Sequence, residues 1–385
     1  MFTKKRLAAG AALVLCGMGL GLGLAGYQLY RVTGNWAEAG RFFYSLGLLR
    51  RHFAGEIDDA KLFRGAIDGM LKATGDPYTV FLDAKDFAAL DELRLGCFGG
   101  IGVVFGRRGD EYIILSVLED NPGARAGVKP GERILAVDGR PTREMHMDEV
   151  AHNIRGDSGT AVELTLGSRD GKTERRVQIV RGLIKSPSVL SRIEEGQGPV
   201  LGYVRIGEFN ENTGADFRAE LAKLTDAGMQ GLILDLRYNP GGLLQQAVSV
   251  GNELVPAGPL VSTVLKDGSR YEEKSRLEAV RWPLAVLVNE GSASAAEIVA
   301  GAVQDTKAGV LVGTKTFGKG CVQTVYPLPG TKTGLKITIA KYYTPNGVCL
   351  DGVGLTPDME VALPEDAKTD IQLEAAKKYL REKLR

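Results

Sequence analysis

Histidine is the scarcest of the residues that commonly do chemistry: the 385-residue chain has three, His52, His146 and His152, and none in its C-terminal half. A hydrolase whose base is an imidazole has nothing to work with there, and no Gly-x-Ser-x-Gly turn is present either. Cysteine is nearly as sparse. Cys16, Cys97, Cys321 and Cys349 include no C-x-x-C pair, which excludes a disulfide framework and, with so few histidines, a zinc site. Nor is there an excess of charge of either sign: 48 Lys and Arg stand against 47 Asp and Glu. A net charge of +1 creates no field that would gather nucleic acid, and no basic cluster interleaved with aromatics creates one locally. No metal, cofactor or nucleic-acid partner is expected.

One long uncharged apolar run exists. Lys4, Lys5 and Arg6 precede residues 7–30, which carry neither charge nor histidine. The run exceeds the about 20 residues a membrane helix needs, and the leading positive charges put the N-terminus in the cytoplasm and the rest outside. A cleaved signal peptide is the competing reading, since Gly23-Leu24-Ala25 offers a small-x-small site. Cys16 follows Leu15 rather than a small residue, so lipid modification is not expected.

With about 100–200 residues per domain, the length calls for two or three domains, and 44% hydrophobic with 25% charged residues is ordinary globular composition. The reading is a multidomain α/β protein: an anchor or signal at 1–30, a helical region at 31–95, a β-rich module at 96–183, an α/β core at 184–365 ending in a β-hairpin, and a terminal helix at 366–385. In the helical region Phe53, Ile57, Leu62, Ile67, Met70 and Leu71 are spaced for one buried face, until Gly75-Asp76-Pro77 breaks the pattern. Short β runs follow at 101–105, 112–118, 133–137, 161–166 and 176–180, with helical stretches at 121–127 and 147–154. This module, with Asn121-Pro122-Gly123 leading into Ile134-Leu135-Ala136-Val137-Asp138-Gly139, resembles a PDZ domain. The resemblance puts a carboxylate-binding loop at Gly99-Gly100-Ile101-Gly102 and an open strand edge just after it, where a protein's C-terminal tail would dock. The same glycines also suit a plain tight turn. From 200 onward strands and helices alternate in an α/β layer, with a final strand pair at 322–328 and 335–343.

Two segments of that layer carry reactive residues. Asn289-Glu290-Gly291-Ser292-Ala293-Ser294-Ala295-Ala296-Glu297 joins a buried strand to a helix, so Ser294 stands where free N–H groups and the positive end of the helix dipole would stabilise an oxyanion. Ser294-x-x-Glu297 is equally a capping box, in which the serine merely ends the helix. Both readings stand on this segment alone. Further on, Gly313-x-x-x-x-Gly318-Lys319 imitates a phosphate loop, but Gly320 has no hydroxyl for Mg²⁺ and a strand follows where that loop needs a helix. A lysine between glycines and beside Phe317 can instead sit in a partly apolar cleft, where desolvation lowers its pKa and makes it a usable base. If 319–323 is extended, Lys319, Cys321 and Gln323 share a face, and Gln323 can orient the amine.

Ser294, Lys319 and Gln323 together resemble the catalytic set of the carboxyl-terminal processing peptidases, or tail-specific proteases. The likeness runs through Leu234-Asp235-Leu236-Arg237-Tyr238-Asn239-Pro240-Gly241-Gly242, Phe317-Gly318-Lys319-Gly320 and Lys341-Tyr342-Tyr343-Thr344-Pro345-Asn346-Gly347, and covers most of the chain. It implies a nucleophile at Ser294, a general base at Lys319, an orienting Gln323, and an oxyanion hole from the N–H of Ala295 and of Gly241 or Gly242. It implies cleavage of proteins recognised by accessible C-terminal tails, which the N-terminal charges would place outside the cytoplasm; that the PDZ module shields the cleft until a tail docks is a further expectation. The chain departs from the family pattern at Ala296, where serine is usual, and at Cys321, where threonine is. A Cys321–Cys349 disulfide and a thiol-sensitive site are expectations that follow from the second departure. The alternative function is a catalytically idle PDZ adaptor or holdase. A β-lactamase-type enzyme, suggested by Lys332-Thr333-Gly334, fails because no serine has lysine three positions on. Oligomeric state, a homo-oligomer included, stays open.

Overall fold

The computed structural model describes residues 34–196, 198–364 and 369–385, with 27, 30, 31 and 367 as isolated positions. The anchor or signal expected at 7–30 therefore lies outside the described residues except at Tyr27 and Tyr30. Among the described residues no helix is long and apolar enough to cross a membrane. The chain divides into two units, residues 1–73 and 74–385.

In the first unit, helix α1 (Trp36–His52) begins where Asn35 Oδ1 accepts from the N–H groups of Ala37 and Glu38, and it ends in Arg50, Arg51 and His52. Helix α2 (Asp59–Lys72) is capped by Asp58. Of the apolar positions whose spacing suggested a single buried face, only Leu71 is buried; Phe53 and Met70 are more than half exposed.

The second unit takes in the rest of what read as one helical region. Asp76 accepts from Tyr78 N–H (3.1 Å) and the Thr79 hydroxyl (2.5 Å), turning the chain into strand β1 (Val80–Leu82), and helix α3 (Ala84–Leu95) follows. The chain then forms strands β2 (Cys97–Gly100), β3 (Val103–Arg108) and β4 (Glu111–Val117), the short helix α4 (Pro122–Arg125), strands β5 (Arg133–Val137) and β6 (Arg140–Pro141), helix α5 (Met147–Ile154), and strands β7 (Ala161–Gly167) and β8 (Glu174–Val180). Strands β3-β4-β5-β7-β8 make one antiparallel sheet in that order, with β3 at its edge, over a core that includes Ile114, Ile134, Val150, Leu164 and Leu166. This is the PDZ module. Strand β2 stands outside its sheet and pairs with β9 (Gly182–Lys185) in a two-stranded ribbon.

The remaining elements are β10 (Val189–Glu194), β11 (Leu201–Ile206), α6 (Thr213–Asp226), β12 (Gly231–Asp235), α7 (Leu244–Leu254), β13 (Gly258–Leu265), β14 (Arg270–Ser275), β15 (Leu284–Val288), α8 (Ala295–Asp305), β16 (Val310–Gly313), β17 (Cys321–Pro327), β18 (Gly334–Tyr343), β19 (Met359–Glu360) and α9 (Ile371–Lys383). A sheet ordered β10-β11-β12-β15-β16-β19, parallel from β11 onward, forms the middle layer. Its alternation divides the side chains between two faces. Val204, Leu232, Leu234 and Val286 pack on α6, α7 and α8, whereas Tyr203, Ile233, Ala285 and Leu287 pack on Leu373, Ala376 and Leu380 of α9. Both central strands are buried throughout, as sheets covered on both faces require. A second, antiparallel sheet ordered β1-β18-β13-β14, with β17 also on β18, is built on the expected hairpin.

Candidate active site

Strand β15 delivers the chain to the turn 289–293 at the carboxyl end of the parallel strands, where α/β sheets hold their sites. That turn is stitched to the neighbouring turn 236–239. The Ser292 hydroxyl donates to Leu236 C=O (2.8 Å), Asn289 Oδ1 accepts from Tyr238 N–H (2.8 Å), and Ala293 N–H donates to Asn239 C=O (2.9 Å). Ser294 then takes φ 55° and ψ −116°, a conformation that costs an L-residue about 1–3 kcal/mol and persists only when its surroundings over-determine it. Here they do: its N–H donates to Glu297 Oε2 (2.9 Å), and its C=O accepts from Ile298 N–H (3.0 Å) and from the Tyr342 hydroxyl (3.3 Å).

Glu297 is fully buried and does more than complete a cap. Its Oε2 also accepts from Lys319 N–H (2.9 Å), and its Oε1 accepts from Gly318 N–H (2.8 Å) and the Thr316 hydroxyl (2.6 Å). Burial raises its pKa, while the four donors hold the ionised form. The cap is therefore also a bridge: a single carboxylate joins the start of α8 to the loop 314–320.

Lys319 sits partly buried on that loop. Burial lowers its pKa, as the cleft argument expects; the field of Lys336 adds to this, while Cys321, Asp76 and Glu297 oppose it. The ring against it is Tyr78, with Nζ 4.8 Å from the ring centroid; Phe317, expected to shelter it, is 58% exposed. Nζ has no hydrogen bond or ion pair among the described residues, and neither Ser294 Oγ nor Gln323 is bonded to it. Gln323 Nε2 instead donates to Cys321 Sγ (3.0 Å) and Thr338 Oγ1 (3.4 Å). Gln323 and Cys321 thus lie side by side, as the spacing expected, whereas Lys319 precedes β17, which begins only at Cys321. Gln323 Oε1 keeps no partner among the described residues.

The turn after β12 sets Gly241 against the serine and Gly242 against Phe209. A side chain on Gly241 (φ 96°) would lie 2.7 Å from Ser294 Cβ and 2.9 Å from Ala295 N, and one on Gly242 (φ 139°) would strike the Phe209 carbonyl at 2.2 Å. Only glycine tolerates both the conformation and the approach. Gly241 N–H is spent on Asn239 Oδ1 (2.8 Å), whereas those of Gly242 and Ala295 have no partner among the described residues.

At Gly99-Gly100-Ile101-Gly102, Ile101 C=O accepts from Gly123 N–H (2.7 Å) and Gly102 C=O from Leu118 N–H (2.9 Å). In trans peptides the N–H groups of Gly102 and Val103 then point the other way, and β3 beyond them is a sheet edge. Gly99 and Gly100 belong to the β2–β9 ribbon rather than to a free loop. Cys97, Cys321 and Cys349 are free thiols, so the expected Cys321–Cys349 disulfide is absent: Cys321 pairs with Lys341 and Cys349 faces Tyr343, two positions on. Tyr78, Glu297 as a bridge, and Tyr342 were not singled out by sequence. For Glu297 the capping-box spacing was the available signal; for Tyr78 only the Asp76-Pro77 turn was.

The architecture is that of a PDZ-bearing serine peptidase. Comparison narrows the class: residues 200–361 match peptidase family S41, residues 113–166 a PDZ domain, and residues 37–86 the activating protease CtpB N-terminal domain. The carboxy-terminal-processing protease of Bartonella bacilliformis is 36% identical over 343 residues, 87% of this chain and 78% of that protein. The carboxy-terminal processing protease CtpA of Bacillus subtilis is 36% identical over 84% of this chain and 69% of its own length. Among solved structures, a photosystem II D1 C-terminal processing protease is 32% identical with a TM-score of 0.52, covering 88% of this chain and 90% of its own. The chain belongs to the S41 carboxyl-terminal processing proteases.

Proposed function

We propose that this protease cuts extracytoplasmic proteins, recognised by their C-terminal tails, with Ser294 as nucleophile and Lys319 as base. The neutral Lys319 amine takes the proton of the Ser294 hydroxyl as Oγ attacks a backbone carbonyl. The oxyanion accepts from the N–H groups of Ala295 and of Gly242, the neighbour of the Gly241 that abuts the serine; neither donor has a partner among the described residues. Lys319, now an ammonium, returns its proton to the leaving amine, and the same amine then activates the water that frees the acyl group as a new carboxyl terminus. Gln323 Oε1 is the acceptor available to orient Lys319 once the lysine turns from Tyr78 toward the serine. Apo hydrogen bonds of this kind commonly close only on substrate.

The observation that carries the reading is Glu297 Oε2, which accepts the backbone N–H of Ser294 and of Lys319 at 2.9 Å each and so keeps the two residues side by side. Ser294→Ala and Lys319→Ala tested on labelled β-casein should abolish cleavage. Cleavage by Ser294→Ala overturns the nucleophile. A parent protein that binds tails but never cuts is the idle adaptor instead. For recognition, the outward N–H groups at Gly102 and Val103 favour a tail carboxylate, with the tail admitting the substrate to the cleft. Gly100→Asp should slow processing of tail-bearing proteins but not of a short tail-less peptide, and equal rates on both oppose gating. Location outside the cytoplasm with an N-terminal anchor rests on Lys4, Lys5, Arg6 and the uncharged run at 7–30. Membrane fractionation with N-terminal sequencing tests it, and a soluble mature chain starting beyond residue 25 replaces the anchor with a cleaved signal.

A further inference from the structure

Tyr342 belongs to β18, and 1% of its surface is exposed. Its N–H donates to Gly320 C=O (3.0 Å), and its one hydroxyl hydrogen is shared between the carbonyl of Lys319, the nearer acceptor, and that of Ser294 (3.3 Å). Glu297, from α8, accepts the N–H of the same two residues. Ser294 and Lys319 are therefore gripped twice: N–H to N–H through one carboxylate, and carbonyl to carbonyl through one phenol. Neither side chain is bonded to Ser294 Oγ or Lys319 Nζ.

We propose that Tyr342 and Glu297 form a two-sided backbone clamp that sets the separation of Ser294 and Lys319, and so act as positioning residues for proton transfer between them. The proposal rests on the assignment of Ser294 and Lys319 as nucleophile and base. The need for a clamp follows from where the pair sits. Lys319 lies on the loop 314–320, which is outside any strand, and carries its amine on four flexible carbons. Ser294 occupies a backbone conformation that relaxes if released. Productive geometry has to be kept to about 0.5 Å, so both Cα positions need an external reference. β18 supplies one: it is held by β1, β13 and β17 at once and carries Tyr342 between the two carbonyls. α8 supplies the other through Glu297. The Tyr342 hydroxyl matters most for Lys319, since the Ser294 carbonyl keeps its bond to Ile298 N–H.

Tyr342→Phe removes one oxygen and leaves the ring in the core. In full-length protein acting on labelled β-casein we expect kcat to fall about 10- to 100-fold, the cost of a misplacement on the order of 1 Å, with KM within about twofold. Melting should shift by only a few degrees. Glu297→Gln places an N–H₂ group against N–H donors, so it should lose more kcat. It should also move the acidic limb of the kcat/KM profile to lower pH, because a negative charge that favours the Lys319 ammonium is gone; Tyr342→Phe should leave that limb in place. Should Glu297→Gln fail to fold, Tyr342→Phe decides alone. Parent kcat in Tyr342→Phe, or a loss confined to KM, overturns the clamp. Cleavage that survives Ser294→Ala overturns the assignment beneath it, whatever the tyrosine variant does.

Discussion

Replacing Gly241 with alanine tests whether the turn after β12 truly abuts the nucleophile. The added methyl would sit 2.7 Å from the Ala293 carbonyl oxygen, 2.7 Å from Ser294 Cβ and 2.9 Å from Ala295 N. Carbon normally keeps about 3.5–4.0 Å from its neighbours, so the turn or the serine segment must retreat by most of an ångström. Two of the three obstacles are backbone and cannot swing aside. A displacement of that size costs about 10²-fold in rate, and one that also carries the adjoining Gly242 N–H off the proposed oxyanion costs about 10²–10³-fold. The expected result is a fall in kcat of about 10²–10³-fold with KM changed only a few-fold. Some loss of stability accompanies it, since φ is 96° there. Gly228→Ala separates that strain from the collision: its φ is 81°, but nothing lies within 4 Å of the new methyl. Kinetics of peptide cleavage and thermal melting of both variants complete the test. Gly228→Ala should melt earlier yet cut at the parent rate. Parent kcat in a folded Gly241→Ala, or equal activity loss in both variants, refutes the geometry.

Burial lowers the Lys319 pKa, so the free amine accumulates at lower pH than for lysine in water, and kcat/KM should rise with pH to a midpoint below 10.5. A midpoint at or above 10.5 contradicts the assignment. The same shift makes the unfolded chain bind the extra proton between the folded value and 10.5, so stability should gain with pH across that window, and Lys319→Met should remove this contribution from melting curves. Arg237, only 11% exposed, bonds Asp235 (2.6 Å) and Asp370 (2.7 Å); Arg237→Ala leaves the buried Asp235 without its cation, and chemical denaturation should show a loss of about 3–5 kcal/mol. Cys321 is 4% exposed and its thiol pKa is raised chiefly by burial, so iodoacetamide should label Cys97 and Cys349 first in native protein. Rapid modification of Cys321 with loss of activity would reverse that order.

Elements with a strong local pattern were readable from sequence to the residue. The helix expected at 147–154 forms as Met147–Ile154. Strands β13 and β14 were not foreseen. Arg270–Ser275 is largely polar and exposed, and it is a strand because β13 lies beside it, a partner that no local window contains. The site divides along the same line. The position of Ser294 at a helix start and of Lys319 between glycines ahead of a strand was legible because both are local events; their proposed roles came from the resemblance. The bond of Gln323 to Thr338 comes from the pairing of β17 with β18, and the ring over Lys319 comes from Tyr78, two residues before β1. Both are settled by pairing with β18, far along the chain. The PDZ glycines were legible as a group, yet the division between the β2–β9 ribbon and the outward peptides at Gly102 and Val103 required the tertiary contacts.

The proposed double grip on Ser294 and Lys319 also bears on when a newly made molecule could begin to cut. Its anchors come from the head of α8, from the loop before β17 and from the far end of β18, so they can close only after the two sheets have come together. A half-finished chain can possess the serine and the lysine and still be harmless, since nothing yet holds one against the other. On the proposed clamp, cutting power would come only with the completed core.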